Sequence, residues 1–301
     1  MNTFTKTGEA RMRNKLLLIG VILLVTSALA AQQKVTPVDS IARCSKKLIP
    51  YAEWNGVKNP IRRLDLVSSS KGRLYYFPAG HSADPADRQF FEIEKAWNEV
   101  KPTIAFYEGP NRPIAATRDE TIKQTGESGF VRFLATRDGV QIARLEPPPQ
   151  DEAKYIMQKF SAEQVKLFYV LREASRLRER RKLAETEIQA AIAELLKRAS
   201  QIESIGTVIT NLDELGAAYR RYWKTPEHWW QAPSAWFDPL NTSANTGGIF
   251  TNEINRMSSE YRNRHMYEVL AEAALEGKTV FAVVGGNHVP LQEPALRCAL
   301  K

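Results

Sequence analysis

The 301-residue sequence predicts an α/β fold: a largely parallel central sheet flanked by helices, with a long helical insertion in the middle of the chain. Three observations carry this expectation. Short apolar runs rich in β-branched and aromatic residues alternate with segments of helical period. Each of those runs stops at Gly, Pro or a charged residue, as strands of a parallel sheet do. Residues 151–202 contain neither Gly nor Pro and hold helix signals throughout.

The N-terminus reads as an export signal. Arg11, Arg13 and Lys15 precede the apolar run Leu16–Val25, and Ala28-Leu29-Ala30 has the small residues of a cleavage site. Residues 1–30 are therefore expected to be a signal peptide, and 31–301 a single α/β domain, periplasmic or secreted. The run is shorter than the roughly 20 residues of a membrane span, so no stable span is expected after cleavage. Cleavage lowers the formal charge from +8, because four basic residues and one acidic one leave with the segment. The remaining excess is mild, and no nucleic-acid-binding module is visible, so nucleic acid is not an expected partner. In an oxidising compartment Cys44 and Cys298, the only two cysteines, are expected to pair.

The elements follow in order. Arg73–Phe77 is a strand, and Pro85–Val100 is a helix with Phe90, Phe91, Ile93, Ala96, Trp97 and Val100 at helical spacing. Thr103–Tyr107 is a second strand. Ser128–Thr136 is a helix capped by Ser128, and Gly139–Leu145 is a third strand ended by Pro147–Pro149. The stretch 151–225 reads as a helical insertion or cap, with Ser161 and Gln164 forming a capping box. Residues 226–249 are an aromatic loop rich in Pro, Asn and Gly. Glu253–Leu275 is a long helix, and Thr279–Val284 is the last strand.

Function is expected where the strands stop. The strands run into Gly80-His81, Glu108-Gly109, Glu146-Pro147 and Gly285-Gly286-Asn287-His288. Ligands of open α/β sheets bind at the carboxyl ends of the strands. Two of the chain's four histidines and two carboxylates are thereby delivered to one edge. Such a set suits either a divalent metal such as zinc, manganese or cobalt, or metal-free acid–base chemistry.

The block Tyr261-Arg262-Asn263-Arg264-His265-Met266, followed by Val280–Val289 with Gly285-Gly286-Asn287-His288, resembles the ending of the TraB/GumN/TIKI superfamily. Glu108, closing Ile104–Glu108, matches that family's strand-end glutamate. The early motif reads Pro78-Ala79-Gly80-His81, with proline where the family has glycine. The superfamily in turn is similar to erythromycin-esterase-like and ChaN-like haem-binding proteins. The resemblance implies an α/β fold and a catalytic set of His81, Glu108, Arg262 and His288. It implies a hydrolase of peptide or small-molecule ester bonds, with His81, Glu108 and His288 as metal ligands where a metal is used. The alternative is a non-catalytic periplasmic protein binding haem or a metal on the same scaffold.

Around this set, Glu146 and Asn287 are expected to bind substrate, as are Trp230 and Trp236 if the aromatic loop is a lid. Arg262 is expected to meet either an anionic substrate group or Glu108. Glu127, in Gly126-Glu127-Ser128-Gly129, reads as part of a capped turn or of a phosphate or carboxylate site at a helix N-terminus. The arginine-rich run Arg172–Lys182 reads as a solvated helical face, with contact to anionic lipid or a polyanion as the alternative.

Overall fold

The computed structural model describes residues 37–54, 58 and 60–301; the expected signal peptide lies outside them. Its sheet has five strands: β1 (Leu64–Val67), β2 (Arg73–Ala79), β3 (Ile104–Tyr107), β4 (Gln141–Arg144) and β5 (Thr279–Gly285). Their order is β1-β2-β5-β3-β4, with only β1 antiparallel. The last strand in sequence thus fills the gap between β2 and β3. Its residues Val280 to Val284 are apolar on both faces, as a central strand covered on both sides requires.

The period-two pleat sends alternate residues to opposite layers. Leu74, Tyr76, Ile104, Phe106, Val280, Ala282 and Val284 meet one layer. That layer is built from α1 (Pro37–Cys44), α9 (Thr251–Leu275) and α10 (His288–Ala299). Tyr75, Phe77, Ala105, Phe281 and Val283 meet the other layer, made of α2 (Arg88–Val100) and α3 (Arg118–Asp138). Phe281 stacks on Tyr75 at 5.2 Å and meets the edge of Trp97 at 5.3 Å. Burying side chains of this size stabilises the fold by roughly 1.5–3 kcal/mol each.

The predicted strands and the long C-terminal helix form where expected, and three features differ. β1 and α10 were not expected. β1 is only four residues long and half exposed, so its pattern is brief. α10 carries Pro294 inside it, which hides the helical pattern. α3 starts at Arg118 rather than Ser128, with Thr117 as the N-cap accepting from the Glu120 N–H. Its backbone turns non-helical at Gly126, so what reads as a fresh start at Ser128 is the far side of a kink.

Between β4 and α9 lie α4 (Pro149–Ile156), α5 (Ala162–Arg181), α6 (Glu185–Ala199), α7 (Leu212–Tyr222) and α8 (Ser243–Thr246). The unbroken helix signals of 151–202 are divided twice. Ser161 and Gln164 form the capping box that restarts the chain as α5. Lys182, in left-handed conformation, ends it. These helices enclose a separate apolar cluster around Phe168, Leu171, Tyr219, Trp223, Trp236 and Ile254.

Cys44 and Cys298 form a disulfide joining the end of α1 to α10. Among the described residues no helix is long and apolar enough to cross a membrane.

Candidate active site

Parallel pairing in register places three chain reversals side by side. Ala79 of β2 faces Gly285 of β5, and Tyr107 of β3 faces Val283. His81, Glu108 and His288 follow those strand ends within a few residues, so the sheet itself gathers them. Pro78 pairs with Val284 beyond the last β1–β2 pair, Leu64–Tyr76. There the missing N–H leaves no β1 bond unmade. The Gly286 N–H donates to the Ala79 carbonyl at 3.0 Å and fixes the turn after β5 against the end of β2.

Gly285 marks the point of convergence. A Cβ on this residue would lie 3.2 Å from Glu108 Oε2, 3.7 Å from His81 Nε2 and 3.7 Å from His288 Cδ2. All three predicted side chains therefore surround one space that only a glycine leaves open. This space belongs to a cavity of 1210 Å³, which also takes in Glu146, Arg262 and Asn287.

Each group is held by partners of its own. Arg262, reaching in from α9, donates from Nη2 to Glu108 Oε1 and to Glu146 Oε1, both at 2.6 Å. The Gly285 N–H donates to Glu108 Oε2 at 2.6 Å. Burial works against the charge of Glu108, but His288, Arg262 and the Gly285 N–H outweigh it. The carboxyl is held well below the usual range and is ionised. Burial also opposes the charge on Arg262, and Glu108, Glu146 and Glu152 reverse that effect. Arg144 closes the group by donating to Glu146 Oε2 at 2.9 Å.

The two imidazoles are oriented through their Nδ1 atoms. His288 is buried, and its Nδ1 lies 2.7 Å from Asn263 Oδ1. That oxygen also accepts from Gln292 Nε2, whose own Oε1 accepts from the Tyr76 hydroxyl. An amide oxygen can only accept, so Nδ1 of His288 carries a proton. Nε2 is left facing Glu108 Oε1 at 3.5 Å. His81 is more open, with 58% of its side chain exposed. Its Nδ1 lies 2.7 Å from Glu127 Oε1, and its Nε2 points to the space over Gly285. The Glu127 hydrogen bond raises the His81 pKa above the usual 6.5, against a smaller opposing effect of burial.

Glu127 and Asn263 are the site residues that the sequence reading missed. Glu127 is 9% exposed and belongs to the kink of α3, not to a capped turn. Gly126 has φ +62°, and a Cβ there would come within 2.9 Å of the Ser82 carbonyl. The glycine thus lets the loop after β2 touch the kink, which brings Glu127 to His81. The available signal was Gly126 itself, in a segment otherwise fit for helix. Asn263 stood next to Arg262 in the quoted block without a role.

The structure does not bring every expected residue to the cavity. Trp236 is 3% exposed, stacks on Trp223 at 4.9 Å and donates to the Thr246 carbonyl. Trp230 stacks on His228 beside a separate 380 Å³ depression. The aromatic loop is thus pinned to the helical cluster. Asn287 is the exposed residue preceding α10 and lines the cavity.

The donor set as arranged does not fit a metal. Among the described residues, no three His, Cys, Asp or Glu side chains are grouped to hold one. Both oxygens of Glu108 already accept hydrogen bonds, one of them from a guanidinium.

Compared with family models, with curated proteins and with solved structures, the chain finds no match.

Proposed function

We propose that this chain is an exported hydrolase of ester or peptide bonds, related to the TraB/GumN/TIKI-like proteins, working by direct acid–base chemistry at the end of its sheet. The observation that carries the reading is the convergence of His81 Nε2, Glu108 Oε2 and the His288 ring on the open space at Gly285. A histidine oriented by a buried carboxylate, with its other nitrogen facing a cavity, has the arrangement of a general base.

The reaction runs as follows. A water above Gly285 gives a proton to Nε2 of His81, while Glu127 stabilises the imidazolium that forms. The water oxygen bonds to the carbonyl carbon, and the carbonyl electron pair moves onto oxygen. Arg262 fixes the Glu108 carboxylate in place, and the N-terminus of α10 faces the developing charge. The tetrahedral species then expels the alcohol or amine, which takes the proton back from His81. Glu108, held ionised, accepts the second O–H of the attacking water, and the His288 ring packs beside it. No step requires a metal.

The test is turnover of chromogenic esters and fluorogenic peptides by the mature protein beside its Glu108→Gln variant. Hydrolysis by the wild type that falls at least 100-fold in the variant, with the fold retained, supports the reading. Equal rates in the two proteins would contradict it.

A further inference from the structure

The arginine-rich run is exposed at Glu179–Lys182, as the sequence suggested, but one of its faces turns to the cavity. Tyr169, Arg172, Arg176 and Arg180 follow at helical spacing on α5, and all four line the cavity. Across the whole lining there are nine Lys and Arg side chains against six Glu, so the chamber carries a positive excess. Most of these charges are already answered. Arg176 is held by Glu173 at 2.6 and 2.7 Å. Lys166 donates to the carbonyls of Ile205 and Gly206. Arg262 is committed to Glu108 and Glu146.

Arg172 is different. It is largely withdrawn from solvent, yet among the described residues its guanidinium has no hydrogen bond and no ion pair. Its only contact of that kind is the ring of Phe168, 5.7 Å away. The nearest candidate carboxylate, Glu152, spends Oε1 on the Tyr169 hydroxyl at 2.9 Å and on the Ser258 hydroxyl at 2.5 Å. Burial, and then repulsion from Arg262, lower the Arg172 pKa. Glu152 and Glu146 attract it without a direct ion pair, so its fork is left open to the cavity, where it matches a planar or tetrahedral oxyanion.

We infer that Arg172 anchors an anion subsite in this cavity, so that the substrate cleaved over Gly285 carries a carboxylate or phosphate group. The inference builds on the hydrolase reading, but its test does not depend on turnover. Calorimetric titration of the mature protein with inorganic phosphate, and separately with succinate, measures the subsite alone. Wild type binds at least one of the two, and the tighter one names the group. Arg172→Gln weakens that binding at least tenfold. Arg88→Gln, a change outside the cavity lining, leaves it unchanged. Arg172→Lys keeps the charge and loses only the fork, and it weakens binding about threefold if the glutamine variant does not fold. The titration needs no turnover, so absence of turnover in every substrate screen leaves the subsite standing. Wild type that binds neither anion, or equal affinity in wild type and both Arg172 variants, overturns the inference.

Discussion

Replacing Gly285 by alanine separates the chemistry of the site from the stability of the fold. The added methyl would sit 3.2 Å from Glu108 Oε2 and 3.7 Å from both His81 Nε2 and His288 Cδ2. The two longer distances are ordinary contacts, and the shorter one asks the carboxylate to give by a few tenths of an ångström. Glu108 is held by Arg262 and the Gly285 N–H, so it yields little, and overpacking of this kind costs about 1 kcal/mol. Gly285 has no left-handed backbone, so alanine also stiffens the unfolded chain and returns about 0.4–1 kcal/mol. Net stability should therefore stay within about 1 kcal/mol of wild type. The methyl, however, occupies the place assigned to the attacking water. Displacing a reacting atom by about 1 Å costs on the order of 100-fold in rate. Urea unfolding and initial rates on the best ester or peptide measure the two effects side by side. Wild-type rates in a folded Gly285→Ala protein would refute the placement of the water.

Other perturbations test other parts. Glu127 raises the His81 pKa, and a general base works only when neutral, so kcat/KM should rise with pH through that raised value. In Glu127→Gln the acid limb moves to lower pH, which a pH–rate profile reads directly; an unmoved limb would deny the pairing a role. The same pair stabilises the fold fully below the usual 6.5, and this contribution fades as pH rises through the raised value. Arg262→Met leaves Glu108 and Glu146 buried without their cation and should cost about 3–5 kcal/mol by denaturant unfolding. The Cys44–Cys298 bond closes a sequence separation of 254 residues, so replacing both cysteines by alanine should cost up to about 5 kcal/mol of chain entropy. A midpoint unchanged by reduction would contradict that account.

The sequence made the sheet legible because its strands are short apolar runs with punctuated ends. The same punctuation exposed His81, Glu108, Glu146 and His288, since a residue just past a parallel strand has few places to go. Partners supplied by other elements were harder to read. Glu127 reaches His81 only because α3 kinks at Gly126, and a kink is a tertiary outcome that helix propensity does not record. The aromatic loop shows the opposite limit. Trp230 and Trp236 look alike to a composition argument for a lid, but stacking on His228 and Trp223 spends both rings on the helical cluster. The Arg172 run misled in part for a related reason: alternating charge reads as a wet surface, and only the position of α5 over the cavity turns one face of it inward.

His81 and His288 are proposed to act as one unit on a single water. The most direct measurement is kcat/KM for His81→Asn, His288→Asn and the double variant on one hydrolysed substrate. The account predicts that each single change lowers the rate at least 100-fold and that the double variant is little slower than either, as for groups that act together. Losses that multiply in the double variant, or a single variant that keeps wild-type rates, would contradict it.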